Sequence, residues 1–440
     1  MVAPLKVGIA GLGTVGAEVV RLLEAQSRVL SARCGRGVQV VGVTARSKAK
    51  KRGLDLRGIN WASNPLALAN DPSIDCLVEL MGGVGDPSHS AIEAALKLGK
   101  SVVTANKALI AKHGLRLAAI AEKHGGALNF EAAVGAAIPV IKTLREGLAG
   151  TEINRVYGIL NGTCNYILTR MEQEGLSFAE CLKDAQRLGY AEANPSFDVD
   201  GHDTAQKLAI LASLAFGTEI AQSAVYVEGI SSITPEDLRA AEELGYRVKL
   251  LGVAVRTAKG IEQRVHPTMV PRTSSIAQVM GVTNAVTIDG SGIPPITLVG
   301  PGAGGAATAS AVVADIADVA RGIRAMPFGL PVGRLRSTTK APMERHEGGY
   351  YIRLMARDLA GTAATIATRL AEQKISIESI VQRHPNGGLD ASKATGKASP
   401  VPVILITYAT SEDAMHRALQ AVQRDKVISG RPQVIRIEKN

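Results

Sequence analysis

The chain has 440 residues, enough for two or three domains, and its 46% hydrophobic and 20% charged residues are typical of a soluble globular protein. Lys and Arg number 50 against 40 Asp and Glu, but no nucleic-acid-reader motif is present and only 3% of residues are aromatic, so a small anionic ligand is favoured over a nucleic acid. No apolar run reaches the roughly 18 residues of a membrane span, so we expect no membrane partner. The four cysteines have neither metal-ligand spacing nor the density of a disulfide scaffold, so we expect a cytoplasmic protein with reduced thiols.

Short apolar runs alternate with helical patterns through the first 135 residues. Helices are predicted at 14–25, 88–98 and 107–124, and strands at 5–10, 38–44, 75–80, 101–105 and 128–134. Strands that are apolar on both faces and separated by helices predict a parallel, doubly wound sheet, and hence an α/β fold. We expect a Rossmann-type dinucleotide-binding domain over residues 1–135, completed by about 300–330.

The pattern changes after residue 136 and again after residue 330. Residues 136–300 mix helices with strands and predict an α+β domain. Its helices are predicted at 138–148, 164–174, 177–188 and 204–216, and its strands at 247–255, 263–270 and 284–289. Residues 330–349 resemble a linker, rich in Pro, Gly and charge. Residues 350–440 follow the order βαββαβ of a ferredoxin-like domain.

A glycine-rich turn joins the first strand to the first helix. It is the segment Gly11-Leu12-Gly13-Thr14-Val15-Gly16. Glycines at these positions allow a tight turn, close approach of a pyrophosphate and close packing of helix on strand, while the helix N-terminus faces the phosphates. In this strand–turn–helix context the motif predicts dinucleotide binding.

The end of the second strand indicates which dinucleotide is bound. An NAD site usually has an acidic residue there, but this chain has Arg46, Ser47 and Lys48 and no acid before Asp55. These side chains suit a 2′-phosphate, so NADP(H) is preferred, with NAD(H) as a second cofactor. The alternative is a solvated basic loop without a ligand.

Two lysines and an acidic loop are candidates for the chemistry. Lys107 follows the strand at 101–105, at the sheet edge where α/β proteins bind ligands. Lys207 lies four residues after Asp203, on the same helix face, although such pairs are commonly surface ion pairs. The loop at 189–203 contains four acids that need a compensating cation, a lysine or a substrate ammonium, and it lacks the ligand spacing of an EF-hand calcium loop.

This loop resembles the signature of homoserine dehydrogenases, and the resemblance covers almost the whole chain. The signature residues are Gly189-Tyr190-Ala191-Glu192, Asn194-Pro195, Asp198-Val199-Asp200-Gly201, Asp203 and Lys207, and further family-like segments lie at 104–109, 131–136, 160–166 and 302–304. The resemblance implies NADPH-dependent reduction of L-aspartate 4-semialdehyde to L-homoserine, a step in threonine, methionine and isoleucine biosynthesis. Asn194 stands where the family often has Asp.

The resemblance also implies that the α+β domain at 136–300 serves substrate binding, dimerisation and catalysis, and it implies roles for individual residues. Lys207 would donate the proton, Lys107 would lie between nicotinamide and substrate, and Asp203 would line the same pocket. The substrate would be bound by Glu192, Asp198, Asn161, Gly162 and Thr163. The cofactor would also contact Gly82, Thr104, Gly302 and Gly304. A sodium ion would be held by the side chain of Glu131 and the backbone carbonyls of Val134, Ala136 and Ile138.

The C-terminal region resembles an ACT domain, a small-molecule-sensing fold that usually pairs between chains. The resemblance lies in Asp358-Leu359-Ala360-Gly361 and in residues 375–379, with Ala360 replacing the family's Pro and making that turn less rigid. It implies an amino-acid effector, with threonine favoured, and a homodimer or homotetramer. The alternative is a dimerisation module without a ligand.

Two rival functions remain open from the residues. One is another Rossmann dehydrogenase that acts on an amino-acid-derived carbonyl, which the acidic loop and Lys207 disfavour. The other is a regulatory protein that binds dinucleotide and amino acid without turnover, which the presence of Lys107, Lys207 and Glu192 disfavours.

Overall fold

The structure, a computed structural model, describes residues 2–337, 341, 343, 346–382 and 400–438. Its first part is a sheet of parallel strands in the order β3-β2-β1-β4-β5-β6. The strands are β1 (Leu5–Ala10), β2 (Val38–Thr44), β3 (Asn60–Trp61), β4 (Cys76–Glu79), β5 (Ser101–Thr104) and β6 (Leu128–Asn129). The helices are α1 (Thr14–Ala25), α2 (Ser27–Cys34), α3 (Pro65–Asn70), α4 (Ser88–Lys97) and α5 (Lys107–His124). The predicted Rossmann-type sheet is confirmed.

The central strands of this sheet are buried on both faces. Side chains that alternate along β1 and β4, such as Val7, Leu77 and Val78, are fully buried, so both faces must be covered. Helix α12 (Gly305–Ala320) follows the middle-region strands in the chain. It packs against α1 and so completes the layer of helices on this face of the sheet. Ala309, Val312 and Ile316 of α12 share one buried apolar cluster with Val7 and Ile9 of β1.

The second part is built on a mixed sheet that joins the middle-region strands, in the order β12-β11-β7-β9-β10, to strands of the C-terminal region. Its middle-region strands are β7 (Ile153–Ile159), β8 (Tyr226–Val227), β9 (Tyr246–Thr257), β10 (Gly260–Pro271), β11 (Thr283–Gly290) and β12 (Ile296–Pro301). The helices are α6 (Val140–Lys142), α7 (Gly162–Glu174), α8 (Phe178–Arg187), α9 (Ser196–Val199), α10 (His202–Phe216) and α11 (Pro235–Glu243). Almost every residue of α10 is buried, so this helix is the centre of the middle region.

The C-terminal elements have the predicted order βαββαβ. They are β13 (Glu347–Arg357), α13 (Thr362–Glu372), β14 (Ile377–Gln382), β15 (Pro400–Thr407), β16 (Thr410–Ser411), α14 (Glu412–Arg424) and β17 (Ile428–Ile437). Their strands lie in the order β17-β13-β15-β14, and β17 pairs in parallel with β10 of the middle region. The C-terminal region is therefore part of a continuous sheet.

That continuity differs from the expectation of a linker with few contacts across it. Part of the segment at 330–349 lies outside the described residues, but β13 already begins at Glu347. Arg353 on β13 pairs with the buried Asp237 of α11, with 2.7 Å between Nε and Oδ1, and Tyr351 donates to the same carboxylate. Hydrogen bonds and buried ion pairs thus join the two regions, a contact that periodicity along the chain could not reveal.

Several other elements differ from the sequence-based prediction. The helix predicted at 138–148 is the short α6 followed by a π-helix at Thr143–Gly147. The strand predicted at 128–134 stops at Asn129, because Glu131 turns back and accepts hydrogen bonds from the backbone N–H groups of Ile141 and Lys142. Helices α2 and α3 and strands β7 and β12 were not predicted. Within the described residues, no helix combines the length and the apolar character needed to cross a membrane.

Candidate active site

The glycine-rich turn has the geometry that a dinucleotide requires. Gly11 has a φ of +106°, and a Cβ there would lie 2.7 Å from the carbonyl carbon of Leu80. A Cβ at Gly16 would lie 1.9 Å from the carbonyl oxygen of Gly11, so only glycine permits this packing of α1 on β1. Gly13 has open space where its Cβ would be, and no side chain caps α1. A pyrophosphate can therefore approach the free N–H groups of the helix.

The basic loop after β2 is exposed and is tied to the glycine-rich turn. Arg46, Ser47 and Lys48 are all exposed, which leaves their side chains accessible to a phosphate. Arg52, which the sequence reasoning did not single out, donates from Nε to the carbonyl of Leu12 (2.9 Å) and from Nη2 to the carbonyl of Ser47 (2.6 Å). Arg52 thus fixes the basic loop beside the turn, and its signal in the sequence is that it ends the series of basic residues at 46–52.

The structure brings both candidate lysines to one carboxylate. Asp203, in the first turn of α10, is only 4% exposed. Its Oδ1 lies 3.1 Å from Nζ of Lys107, and its Oδ2 lies 3.0 Å from Nζ of Lys207 and 3.0 Å from Nδ2 of Asn161. Lys107 is the first residue of α5, which packs in the first part of the chain, and Lys207 lies on α10 of the middle region, so the cluster lies where the two parts meet. Asp203 and Lys207 are both buried, so they do not form the surface ion pair that their spacing also allowed.

The charge of Asp203 depends on these partners. Burial by itself would raise its pKa, but Lys207, Lys107 and Asn161 oppose that effect and lower the pKa to about 2. Asp203 is therefore a carboxylate at neutral pH. Asn161 also donates to Asp198 at 2.8 Å, and burial raises the pKa of Asp198. One amide thus aligns both acids.

The two lysines differ in exposure. The side chain of Lys207 is 10% exposed and its Nζ also donates to the carbonyl of Leu160, 2.7 Å away. The side chain of Lys107 is 34% exposed. Lys207 is therefore held between a carboxylate and a carbonyl, while Lys107 borders solvent.

The start of α7 forms a second wall of the site. Asn161 caps this helix by accepting a hydrogen bond from the N–H of Cys164. Gly162 packs so closely that a Cβ would lie 2.6 Å from the carbonyl oxygen of Val282. Thr163 donates to the carbonyl of Tyr190 (2.7 Å), which holds the acidic loop against α7. Glu192, two residues further along that loop, is exposed.

The remaining predicted cofactor residues lie at the carboxyl ends of strands or at a helix start. Gly82 follows β4 with a φ of +77°, and Thr104 is the buried last residue of β5. A Cβ at Gly302 would overlap the side chain of Asn284, and Gly304, with a φ of +112°, precedes α12. A Cβ on the next residue, Gly305, would lie 2.9 Å from Thr14, so this turn lies beside the start of α1.

The proposed cation donors are all oxygen atoms, as a hard monovalent cation prefers. Glu131 is buried, and burial together with the nearby Asp315 raises its pKa to about 7. Its two oxygens already accept backbone hydrogen bonds, and the carbonyl of Ile138 accepts one from Val140. Ala136 has a φ of +47°, in the left-handed region, so the backbone turns sharply between the carbonyls of Val134 and Ile138. Within the described residues, no group of three or more His, Cys, Asp or Glu side chains forms a metal site.

Comparison with known proteins identifies the family. Residues 11–131 match the family model "Homoserine dehydrogenase, NAD binding domain", and residues 139–317 match the model "Homoserine dehydrogenase". The homoserine dehydrogenase of Pseudomonas aeruginosa is 43% identical over 442 residues, covering 99% of each chain. The crystal structure of a homoserine dehydrogenase from Thiobacillus denitrificans has a TM-score of 0.91 and 42% identity, covering 99% of this chain and 98% of that one.

A more distant relative matches about three quarters of this chain. The structure of a hyperthermophilic archaeal homoserine dehydrogenase in complex with NADPH has a TM-score of 0.61 and 27% identity. The match covers 74% of this chain and 100% of the archaeal chain. From the family models, the full-length relatives and the dinucleotide fold, we conclude that the chain belongs to the homoserine dehydrogenase family and is an NAD(P)-dependent oxidoreductase of amino-acid biosynthesis.

Proposed function

We propose that the chain reduces L-aspartate 4-semialdehyde to L-homoserine with NADPH, and that it oxidises homoserine with NADP in reverse. One observation carries the assignment of residues: Asp203, a buried carboxylate, holds Lys107 and Lys207 where the dinucleotide fold meets α10. Two fixed ammonium groups at the carboxyl edge of a Rossmann sheet suit a reaction in which a carbonyl oxygen gains negative charge.

The first sheet supplies the cofactor residues of this proposal. Gly11, Gly13 and Gly16 leave room for the pyrophosphate at the start of α1, and Gly82, Thr104, Gly302 and Gly304 line the neighbouring strand and helix ends. Arg46, Ser47 and Lys48 would bind the 2′-phosphate, which favours NADP(H) over NAD(H). When bound, the dinucleotide supplies or accepts the hydride. The archaeal relative solved in complex with NADPH supports this preference.

The middle region supplies the proton. Lys207 donates it to the substrate oxygen, and Asp203 and the carbonyl of Leu160 hold Nζ in place during the transfer. Lys107 adds positive charge near the same oxygen as charge develops on it. A positioned general acid typically contributes about 10²- to 10⁴-fold in rate.

The acidic loop would recognise the amino-acid end of the substrate. Glu192 and Asp198 offer carboxylates to its ammonium group, and Asn161 fixes the side chain of Asp198. Thr163 holds the loop against α7, and Gly162 lets the start of α7 pack closely on Val282, so that both residues would border the bound substrate. We further assign a sodium ion to Glu131 and the carbonyls of Val134, Ala136 and Ile138. Its positive charge would offset a buried carboxylate next to Asp315.

The C-terminal region would be an ACT-like domain that binds an amino-acid effector, with threonine favoured. The βαββαβ order and the strand order β17-β13-β15-β14 support this assignment. We assign the enzyme to the cytoplasm as a homodimer or homotetramer.

Initial rates of homoserine oxidation with NADP and with NAD test the proposal. We expect turnover with both and a higher kcat/KM with NADP. A higher kcat/KM with NAD would contradict the role of the basic loop, and failure to oxidise homoserine would contradict the assigned reaction.

A further inference from the structure

A buried carboxylate that the proposed chemistry does not use lies at the cofactor-facing edge of the first sheet. Glu79 is the last residue of β4 and is 0% exposed. Its Oε1 accepts hydrogen bonds from the backbone N–H groups of Met81 (2.8 Å) and Gly82 (3.1 Å) and from the hydroxyl of Ser88 (3.0 Å). Its Oε2 accepts one from the hydroxyl of Thr104 (2.7 Å). One carboxylate thus ties together the ends of β4 and β5 and the start of α4.

The Thr104 side of this network leads to a catalytic lysine. Oγ1 of Thr104 accepts a hydrogen bond from the N–H of Asn106 (3.0 Å), the residue that caps α5. The amide of Asn106 donates to the carbonyl of Gly83 (2.7 Å), which returns to the turn after β4. Lys107 is the next residue, and its Nζ lies 3.1 Å from Asp203. A short chain of hydrogen bonds therefore fixes the backbone that carries Lys107.

The same turn also borders the phosphate-facing loop. Glu79 is the register partner of Ala10 on β1 and of Thr104 on β5. A Cβ at Gly11 would lie 2.7 Å from the backbone of Leu80, so the glycine-rich turn rests on the residue after Glu79. In the strand order observed here, β1 and β4 flank the point where a dinucleotide crosses the sheet. Glu79 therefore lies between the glycine-rich turn after β1 and the segment after β5 that carries Lys107.

We propose that Glu79 is a positioning residue which, through Thr104 and Asn106, holds Lys107 in place against Asp203. Both carboxylate oxygens are needed because every partner on them is a donor. A glutamine would keep one acceptor for the Oε1 partners and turn its NH₂ group toward Thr104, whose hydroxyl proton would lose its acceptor. The proposal rests on the proposed function, since the role of Lys107 belongs to it.

The test is Glu79→Gln in the full chain, with Thr104→Val as a second route to the same break. We expect each variant to lower kcat by about 10- to 100-fold, because small displacements of a catalytic group have effects of that size. The double variant should lose no more than Thr104→Val alone, because that change already removes both the hydrogen bond to Glu79 and the one from Asn106. Ser88→Ala is the matched control, since it removes a donor on the Oε1 side alone, and we expect near-parental kcat. NADPH affinity, measured by fluorescence titration, should change far less than kcat in Glu79→Gln.

A Lys107→Met background separates positioning from general loss of stability. If Glu79 acts through Lys107, Glu79→Gln lowers kcat no further in that background. An equal further loss there, or near-parental kcat in Glu79→Gln, would overturn the proposal. If Glu79→Gln does not fold, Thr104→Val in the same two backgrounds decides. Crystal structures of the parental and variant proteins give a readout independent of the assigned reaction: an unchanged contact between Lys107 and Asp203 would also overturn it.

Discussion

Replacement of Asp203 by asparagine is the most direct test of the lysine cluster. The substitution keeps the shape of the side chain but removes the negative charge that faces Lys107 at 3.1 Å and Lys207 at 3.0 Å. The amide can accept from only one lysine and must turn its NH₂ group toward the other or toward Asn161. Because misplacement by about 1 Å can cost about 100-fold in rate, we expect kcat for homoserine oxidation to fall about 100-fold or more.

The same change has a calculable effect on stability. The pKa of Asp203 is about 2 in the folded protein against the model-compound value of 3.8, so its ionisation stabilises the fold by about 2 kcal/mol at neutral pH. A depressed pKa contributes stability that is complete above pH of about 4 and is lost as the pH falls through about 2. About half of this contribution should remain at pH of about 3.

Urea unfolding at pH 7 and at successively lower pH measures this effect alongside the kinetics. Asp203→Asn should be at least about 2 kcal/mol less stable than the parental protein at neutral pH, and the difference should shrink on acidification. Asp413→Asn is the matched control, because Asp413 lies in an exposed ion pair with Arg417 and such pairs contribute little. Near-parental kcat, or a stability difference that does not change with pH, would refute the reasoning.

Three further predictions follow from the same structure. Lys207→Ala should lower kcat about 100-fold or more with NADPH affinity nearly intact, because it removes the proton donor; near-parental turnover would transfer that role to Lys107. Arg46→Ala should raise KM for NADPH about 10-fold or more but not KM for NADH, since a charged contact to the 2′-phosphate is lost. Arg33→Ala on α2 is its control, and equal effects on both cofactors would contradict the contact. Saturating threonine should change activity or apparent substrate affinity by about 5- to 150-fold in the full chain. Deletion of residues 347–440 should abolish the response and also lower the melting temperature, because β17 leaves β10; a full-length enzyme blind to threonine would leave the C-terminal region an assembly element.

Local patterns predicted the parts of the site that are made by neighbours in sequence. The glycine-rich turn could be predicted because a tight turn, a phosphate approach and a helix start occupy six consecutive residues. The capping box formed by Ser177 and Glu180 and the proline that begins the helix after Thr234 are likewise local features, because each is made by residues within one helical turn. The strand at β7 could not be predicted, because Asn154, Arg155 and Gly158 interrupt its apolar pattern and its pairing with β9 and β11 stabilises it.

The alternation of strands and helices, the dinucleotide-binding turn and the placement of Asp203 and Lys207 on one helix face follow from local sequence, because each depends on residues that are near one another along the chain. The tertiary structure brings Lys107, 96 positions before Asp203, to the same carboxylate. It alone also decided that β17 pairs with β10 and that Glu79 links β4 to β5. Such contacts depend on sheet order and on burial, because a partner distant in sequence leaves no periodic pattern, and the low-dielectric interior rewards only the pairing that satisfies each buried charge.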